Sequence, residues 1–250
     1  MHGLVELADI AADLLARIRA RRPRVHCITN SVAQQYTANM LLAAGAVPSM
    51  TIAPGEIGAF VAGADALLVN LGTFDGERKS AVEAALAAAA GKPWLLDPVF
   101  IERSAARAAF ARQLVDRRPT AVRLNRAEFA ALDDEGVAAE QFAKVHGSVV
   151  ALTGEVDLVV DGERRATIAN GDPLMGLVTA MGCAGSALVC AALAVEADAW
   201  LAAVASVAAL GVAGEVAAQN ARGPGSFANA IIDALYRLDR STLRARLKVS

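Results

Sequence analysis

Ala66-Leu-Leu-Val-Asn-Leu71, closed by Gly72, is an apolar run bounded by a helix breaker, and it reads as a strand covered on both faces. Residues 75–90 then carry a helical pattern that Gly91 and Pro93 end, and Trp94 to Leu96 repeat the strand signal into Asp97-Pro98. Strand, helix and strand joined this closely make a right-handed crossover and hence a parallel sheet. Working outward, Leu4 to Ala20 places Leu7, Ile10, Leu14 and Ile18 on one helical face, and Pro23 ends that helix. Val25 to Thr29 and Val47 to Ile52 read as strands around a helix that Ser31 caps and Gly45 closes. Downstream, a helix over 104–116 leads to the strand Ala121 to Leu124, and Ser148 to Leu152 is another strand. The texture then changes: Leu158 to Val160, the turn Asp161-Gly162 and Arg165 to Ala169 make an antiparallel hairpin. Helices fill the rest, at 183–195, 198–220, 227–238 and 242–247. No Ser/Pro/Gly-rich linker divides the chain, so the expected unit is one α/β domain over residues 1–250, helices on both faces of a mostly parallel sheet, with the hairpin near 156–169.

Bulk properties narrow the function. Aromatic residues are 4% of the chain and net charge is −2 with the two signs interspersed, so neither base-stacking nor basic-patch binding to nucleic acid is expected. The greasiest stretch, Ala199 to Gly214, is short, alanine-rich and flanked by Glu196, Asp198 and Glu215; it reads as a core helix, and no membrane partner is expected. Met1 to Arg22 lacks the pattern of a secretory leader. Cys27, Cys183 and Cys190, an odd set without paired spacing, read as reduced thiols, which points to the cytoplasm.

In a sheet of this kind ligands bind beyond the carboxyl ends of the strands. Asn30, Gly72, Asp97, Asn125 and Thr153 all stand at such ends. Leu177 to Ser186 (LVTAMGCAGS) puts small residues before a long apolar helix. Its unpaired first amides and positive dipole end could cradle a phosphate, with Gly182 allowing close approach; the alternative is a helix start made small for packing. Cys183 at that start is expected to have a lowered thiol pKa and to act as base or hydrogen-bond partner for a hydroxyl; its other readings are a small buried hydrophobe and a covalent nucleophile. The last needs a partnered base, and His2, His26 and His146 stand in no recognisable partner motif. Asp97 could bind magnesium through water. Asn125 and Glu128 have the spacing of a capping box, a role compatible with ligand binding. Arg123, inside an apolar strand, calls for an anionic partner such as phosphate. The Thr153 hydroxyl could reach a phosphate or satisfy its own turn. Arg222-Gly-Pro-Gly-Ser226 reads as a sharp helix-capping turn.

Several segments together carry a resemblance: Val25-His-Cys-Ile-Thr-Asn30, Pro48-Ser-Met50, Leu68-Val-Asn-Leu-Gly-Thr73, Leu96-Asp-Pro-Val99, Leu152-Thr-Gly-Glu-Val-Asp157, Gly182-Cys183 and Gly223-Pro-Gly-Ser-Phe227. The chain resembles the hydroxyethylthiazole kinases, of ribokinase-like fold, almost end to end. The resemblance implies a three-layer αβα architecture and ATP-dependent phosphorylation of 4-methyl-5-(2-hydroxyethyl)thiazole in thiamine salvage. It implies that Asn30 and Met50 line the thiazole pocket with the backbone at Ala180, that Arg123 and Thr153 bind ATP phosphates, and that Asp97 and Glu128 hold Mg2+ largely through water. It implies too that Gly182 and the Cys183 amide form the anion hole, with Cys183 beside the attacking hydroxyl. A homotrimer with active sites between subunits is implied as well. Three departures from the family's pattern stand out: Phe100-Ile-Glu-Arg103 replaces a glycine-rich loop, Leu124 replaces a glycine, and Ala180 replaces the glycine expected between Thr179 and Met181. The alternatives are a kinase for another alcohol such as hydroxymethylpyrimidine, and a non-catalytic relative that binds thiazole or nucleotide.

Overall fold

The structure is a computed structural model that describes residues 4–133 and 135–250; His2 lies outside the described residues. The strands are β1 (Arg24–Ile28), β2 (Val47–Ser49), β3 (Ala66–Asn70), β4 (Trp94–Asp97), β5 (Ala121–Asn125), β6 (Val149–Thr153), β7 (Asp157–Val160) and β8 (Arg165–Ile168). They form one sheet in the order β2-β1-β3-β4-β5-β6-β7-β8. The first six in the sequence run parallel, and β7 and β8 add an antiparallel hairpin at one edge, as the sequence predicts.

The helices are α1 (Leu4–Arg21), α2 (Gln34–Ala44), α3 (Ile57–Ala62), α4 (Gly76–Ala88), α5 (Ala105–Val115), α6 (Arg126–Leu132), α7 (Ala139–His146), α8 (Met181–Leu193), α9 (Ala199–Ala218), α10 (Pro224–Arg237) and α11 (Arg240–Arg246). Two hydrophobic cores divide them. One, built on α1, α2, α8, α9, α10 and α11, meets Val25, Cys27, Ala66, Leu68, Leu95, Ala121, Val149 and Ala151 of the sheet. The other, built on α3 to α7, meets Ile28, Leu67, Val69, Leu96, Val122, Leu124, Val150 and Leu152. The molecule is thus three layers, helix, sheet and helix.

Side chains alternate along a strand, and this fixes where the polar strand ends point. Asn70 is two residues beyond Leu68, Asp97 two beyond Leu95, Arg123 two beyond Ala121 and Thr153 two beyond Ala151. All four fall on the parity of the face that packs α8, and α8 crosses β1, β3 and β4.

The local chemistry of helix ends mostly follows expectation. Asp75 and Ser104 accept from Arg78 N and Arg107 N as N-caps of α4 and α5, and Gly45 closes α2 at φ 98°. Helix α10, by contrast, opens at Pro224 behind Gly223, three residues before the expected start and inside the segment read as a turn, because proline suits a first helical position; the Ser226 hydroxyl accepts from Arg222 N at 2.8 Å. Four other details differ. Ser31 does not cap α2; the Asn30 side chain accepts from Ala33 N instead, at 2.9 Å. Regular pairing in β2 stops at Ser49, opposite His26 and short of Ile52, and the His26 side chain takes over there, pairing with Ser49 Oγ and Thr51 O. Helix α8 starts at Met181, two residues before the expected start. Helices α3 and α7, absent from the reading of the sequence, lack a side-chain N-cap. Helix α9 is long and apolar enough to cross a membrane, but 78% of its most apolar stretch is buried within the protein, as a core helix requires.

Candidate active site

The carboxyl ends of β1, β3, β4 and β5 meet the N-terminus of α8. Ala180 caps that helix in the left-handed conformation, φ 71° and ψ 2°. Ala184 N bonds Ala180 O at 2.9 Å, so the amides of Gly182 and Cys183 precede this first 5→1 bond. They are the donors available to an anion here, at the positive end of the helix dipole.

Arg123 projects from β5 under this turn. Its Nη1 donates to Gly182 O at 2.8 Å and to Ser186 Oγ at 3.4 Å, while its buried Nε has no hydrogen-bond partner. A guanidinium with a spare buried donor beside unpaired helix amides is suited to an anionic ligand. Asp97, 4% exposed, faces the same space. Burial pushes its pKa up to about 6, with Arg123 opposing the rise and Glu128 adding to it.

Glu128, also buried, completes the capping box of α6: Oε2 accepts Asn125 N at 2.9 Å, and Asn125 Oδ1 accepts Glu128 N at 2.9 Å. Its Oε1 accepts Phe100 N at 2.9 Å. The segment after Asp97 therefore ties back to Glu128. Phe100 itself is left-handed, at φ 56°. Among the described residues no cluster of three or more His, Cys, Asp or Glu side chains could hold a metal alone. One or two carboxylates close enough to repel, with water and phosphate completing the shell, is the arrangement magnesium favours. The pair Asp97 and Glu128 fits it.

Cys183 is 8% exposed, and Asn30 Nδ2 donates to its sulfur at 3.3 Å. Its thiol is not lowered as the helix position led us to expect. Burial, with the nearby Asp97 carboxylate adding to it, pushes it up to about 11. Desolvation and a buried anion outweigh the helix dipole. The structure thus brings Asn30, Asp97, Arg123, Glu128, Gly182 and Cys183 together. Thr153 lies beside Asn125 in register, but its hydroxyl donates to Leu124 O at 3.3 Å, satisfying the strand end. Met50 follows the edge strand β2, half-buried against the α8-side core. His26 fixes its neighbours, with Nδ1 paired to Ser49 Oγ at 2.8 Å and Nε2 to Thr51 O at 3.0 Å.

Two residues at the site were not singled out from sequence. Asn70 bonds Asp97 and Asn30, and Ser186 stands between Arg123 and Asp97. Assigning each strand position to a face by alternation finds Asn70, and the face of α8 one turn beyond Gly182 finds Ser186.

Comparison with known proteins places the chain. The model of the hydroxyethylthiazole kinase family matches residues 15–241. A probable hydroxyethylthiazole kinase of Agrobacterium fabrum is 45% identical over 240 residues, covering 95% of this chain and 94% of that protein. A hydroxyethylthiazole kinase of Klebsiella pneumoniae is 45% identical over 255 residues, covering 95% and 98%. Among solved structures, the hydroxyethylthiazole kinase protein of Pyrococcus horikoshii superposes with a TM-score of 0.92 at 35% identity over 97% of this chain and 98% of that one. A ribokinase-like superfamily protein of Enterococcus faecalis, 12% identical with a TM-score of 0.69 over 93% and 95%, shares the fold. With the family matched over nearly its whole length, this chain belongs to the hydroxyethylthiazole kinase family.

Proposed function

We propose that the protein transfers the γ-phosphoryl group of ATP to the primary hydroxyl of 4-methyl-5-(2-hydroxyethyl)thiazole, a step of thiamine salvage. The observation that carries this reading is the convergence of Asp97, Arg123 and Cys183 on the first turn of α8, in a chain similar over 95% of its length to named thiazole kinases. The alcohol oxygen attacks the γ-phosphorus in line as the bond to the β–γ bridging oxygen breaks and ADP leaves, and the hydroxyl proton passes to an oxygen of the transferred phosphoryl group and on to solvent. Such a transition state is loose, so positioning and charge stabilisation matter more than a strong base.

The residues divide the work. Arg123 and the Gly182 and Cys183 amides hold phosphate oxygens; losing one such donor typically costs about 10²–10³ in rate. Asp97 and Glu128 would hold Mg2+, which would neutralise phosphate charge. With a pKa near 11, the Cys183 thiol is neutral at physiological pH and serves as a hydrogen-bond partner for the attacking hydroxyl. Asn30 and Met50 line the thiazole side with the Ala180 backbone, and Thr153 lies on the nucleotide side. The protein works in the cytoplasm as a homotrimer with its sites between subunits. Exposed Val32, Leu42 and Tyr236 are apolar side chains that such an assembly would cover.

The test is ADP release from ATP and magnesium with and without the thiazole alcohol. Thiazole-dependent release with thiazole phosphate as product is expected. Release dependent on hydroxymethylpyrimidine alone would replace the substrate, and calorimetric thiazole binding without transfer would replace catalysis by sensing. Light scattering at the size of a trimer is expected; a monomer would remove the shared site.

A further inference from the structure

Asn70 ends β3 and is 2% exposed, a buried amide in an otherwise apolar strand. Its two ends are not interchangeable. Oδ1 accepts Gly72 N at 3.0 Å, so Nδ2 must point the other way, where it donates to Asp97 Oδ2 at 2.7 Å. Asn30 is oriented by the same logic. Its Oδ1 accepts Ala33 N at 2.9 Å, which turns Nδ2 toward Asn70 Oδ1 and Cys183 Sγ, each at 3.3 Å. Gly72 closes the arrangement from below: a β-carbon there would fall 2.6 Å from Asn30 Cβ. Backbone donors thus polarise a line of side chains running from thiol to carboxylate.

We propose that Asn70 is a positioning residue for phosphoryl transfer, locking the carboxylate of Asp97 and, through Asn30, the thiol of Cys183 in one fixed spacing across the site. This rests on the kinase reading above. The geometry assigns Asn70 no contact with either substrate. Its effect runs through Asp97, which gains a charge-assisted hydrogen bond that fixes its rotamer, and through Asn30, whose amide is held facing the sulfur. Partners of this kind behind a reacting group typically contribute about 10–100-fold in activity.

The test is Asn70→Leu, close in volume, which removes the donor to Asp97 and the acceptor that orients Asn30 without adding a charge. Three readouts are taken: kcat, KM for both substrates, and the rate at which iodoacetamide labels Cys183, followed by mass spectrometry of its peptide. The expected result is kcat lower by about 10–100-fold, KM values within about threefold, and Cys183 labelled several-fold more slowly because the Asn30 donor is no longer held against its sulfur. Wild-type kcat, a loss carried by both KM values instead, or unaltered Cys183 labelling would overturn the proposal. If Asn70→Leu does not fold, Asn70→Ser is read by kcat and KM with the same criteria. A wild-type protein that fails to phosphorylate the thiazole would sink the kinase reading, and the labelling arm would still report whether Asn70 is coupled to Cys183.

Discussion

The guanidinium of Arg123 lies directly against the α-carbon of Gly185. A methyl group on Gly185 would stand 2.9 Å from Arg123 Nη2 and 2.9 Å from Leu210 Cδ2. The first turn of α8 is therefore built around the arginine, which enters from the sheet below and reaches Gly182 O across the missing side chain.

Gly185→Ala should accordingly push the guanidinium out of place. Displacing a positioned group by about 1 Å can cost 10²-fold in rate, and overpacking against Leu210 costs about 1–3 kcal/mol of stability. Steady-state kinetics should show the loss mainly with varied ATP. Loss confined to varied thiazole would contradict the placement of Arg123 on the nucleotide side.

Cys183→Ala should lower turnover while leaving measurable activity. A thiol with a pKa of about 11 is ionised in about one molecule in 10⁴ at neutral pH, so little base catalysis is lost with it. Arg123→Ala should instead damage ATP use. Comparison of kcat and both KM values in the two variants checks this; an unaltered rate in Cys183→Ala removes the cysteine from the mechanism.

Asp97 gives a pH signature of stability. Its pKa is about 6 when folded, against 3.8 when free, so between those values the folded chain holds the extra proton. Stability falls as pH rises through that window, and the cost of a buried carboxylate persists above it. Asp97→Asn removes the cost. Its stability advantage over wild type should grow between about pH 4 and pH 8 by an amount on the order of 3 kcal/mol, while kinase activity disappears. Thermal melts in chelator across this range test the claim, and an advantage that does not change with pH would refute it.

Ala180 holds φ 71° at the start of α8. The left-handed conformation costs a residue with a β-carbon about 1–2 kcal/mol, part of which glycine loses again through its own entropy. Ala180→Gly is expected to stabilise the protein by about 0.5–1 kcal/mol, read as a higher denaturant midpoint at unchanged slope. A lower midpoint would mean that the methyl packs favourably.

The three layers could be read from the order of strands and helices because the punctuation was local: Gly72, Gly91, Pro93 and Gly45 mark ends that the structure keeps. Helix α7 was invisible for the opposite reason, since Ala138 gives no side-chain cap. The strand-end residues were legible as types at known positions. The thiol of Cys183 was misjudged because its helix position is local, whereas the burial and the Asp97 charge that decide its pKa come from distant parts of the chain. Asn70 was passed over within ALLVNL because its partners, Asn30 and Asp97, lie 40 and 27 positions away.

The shared parity of Asn70, Asp97, Arg123 and Thr153 divides the molecule into parts that tolerate length changes and parts that do not. Lengthening or trimming the segment after Asp97 leaves every strand facing as before, so a rebuilt loop at Phe100 to Arg103 can coexist with an intact catalytic floor. Deleting one residue inside β4 would swing its carboxylate to the opposite helical layer. Variation can therefore accumulate in the connections around this site, while each strand beneath it must keep its count.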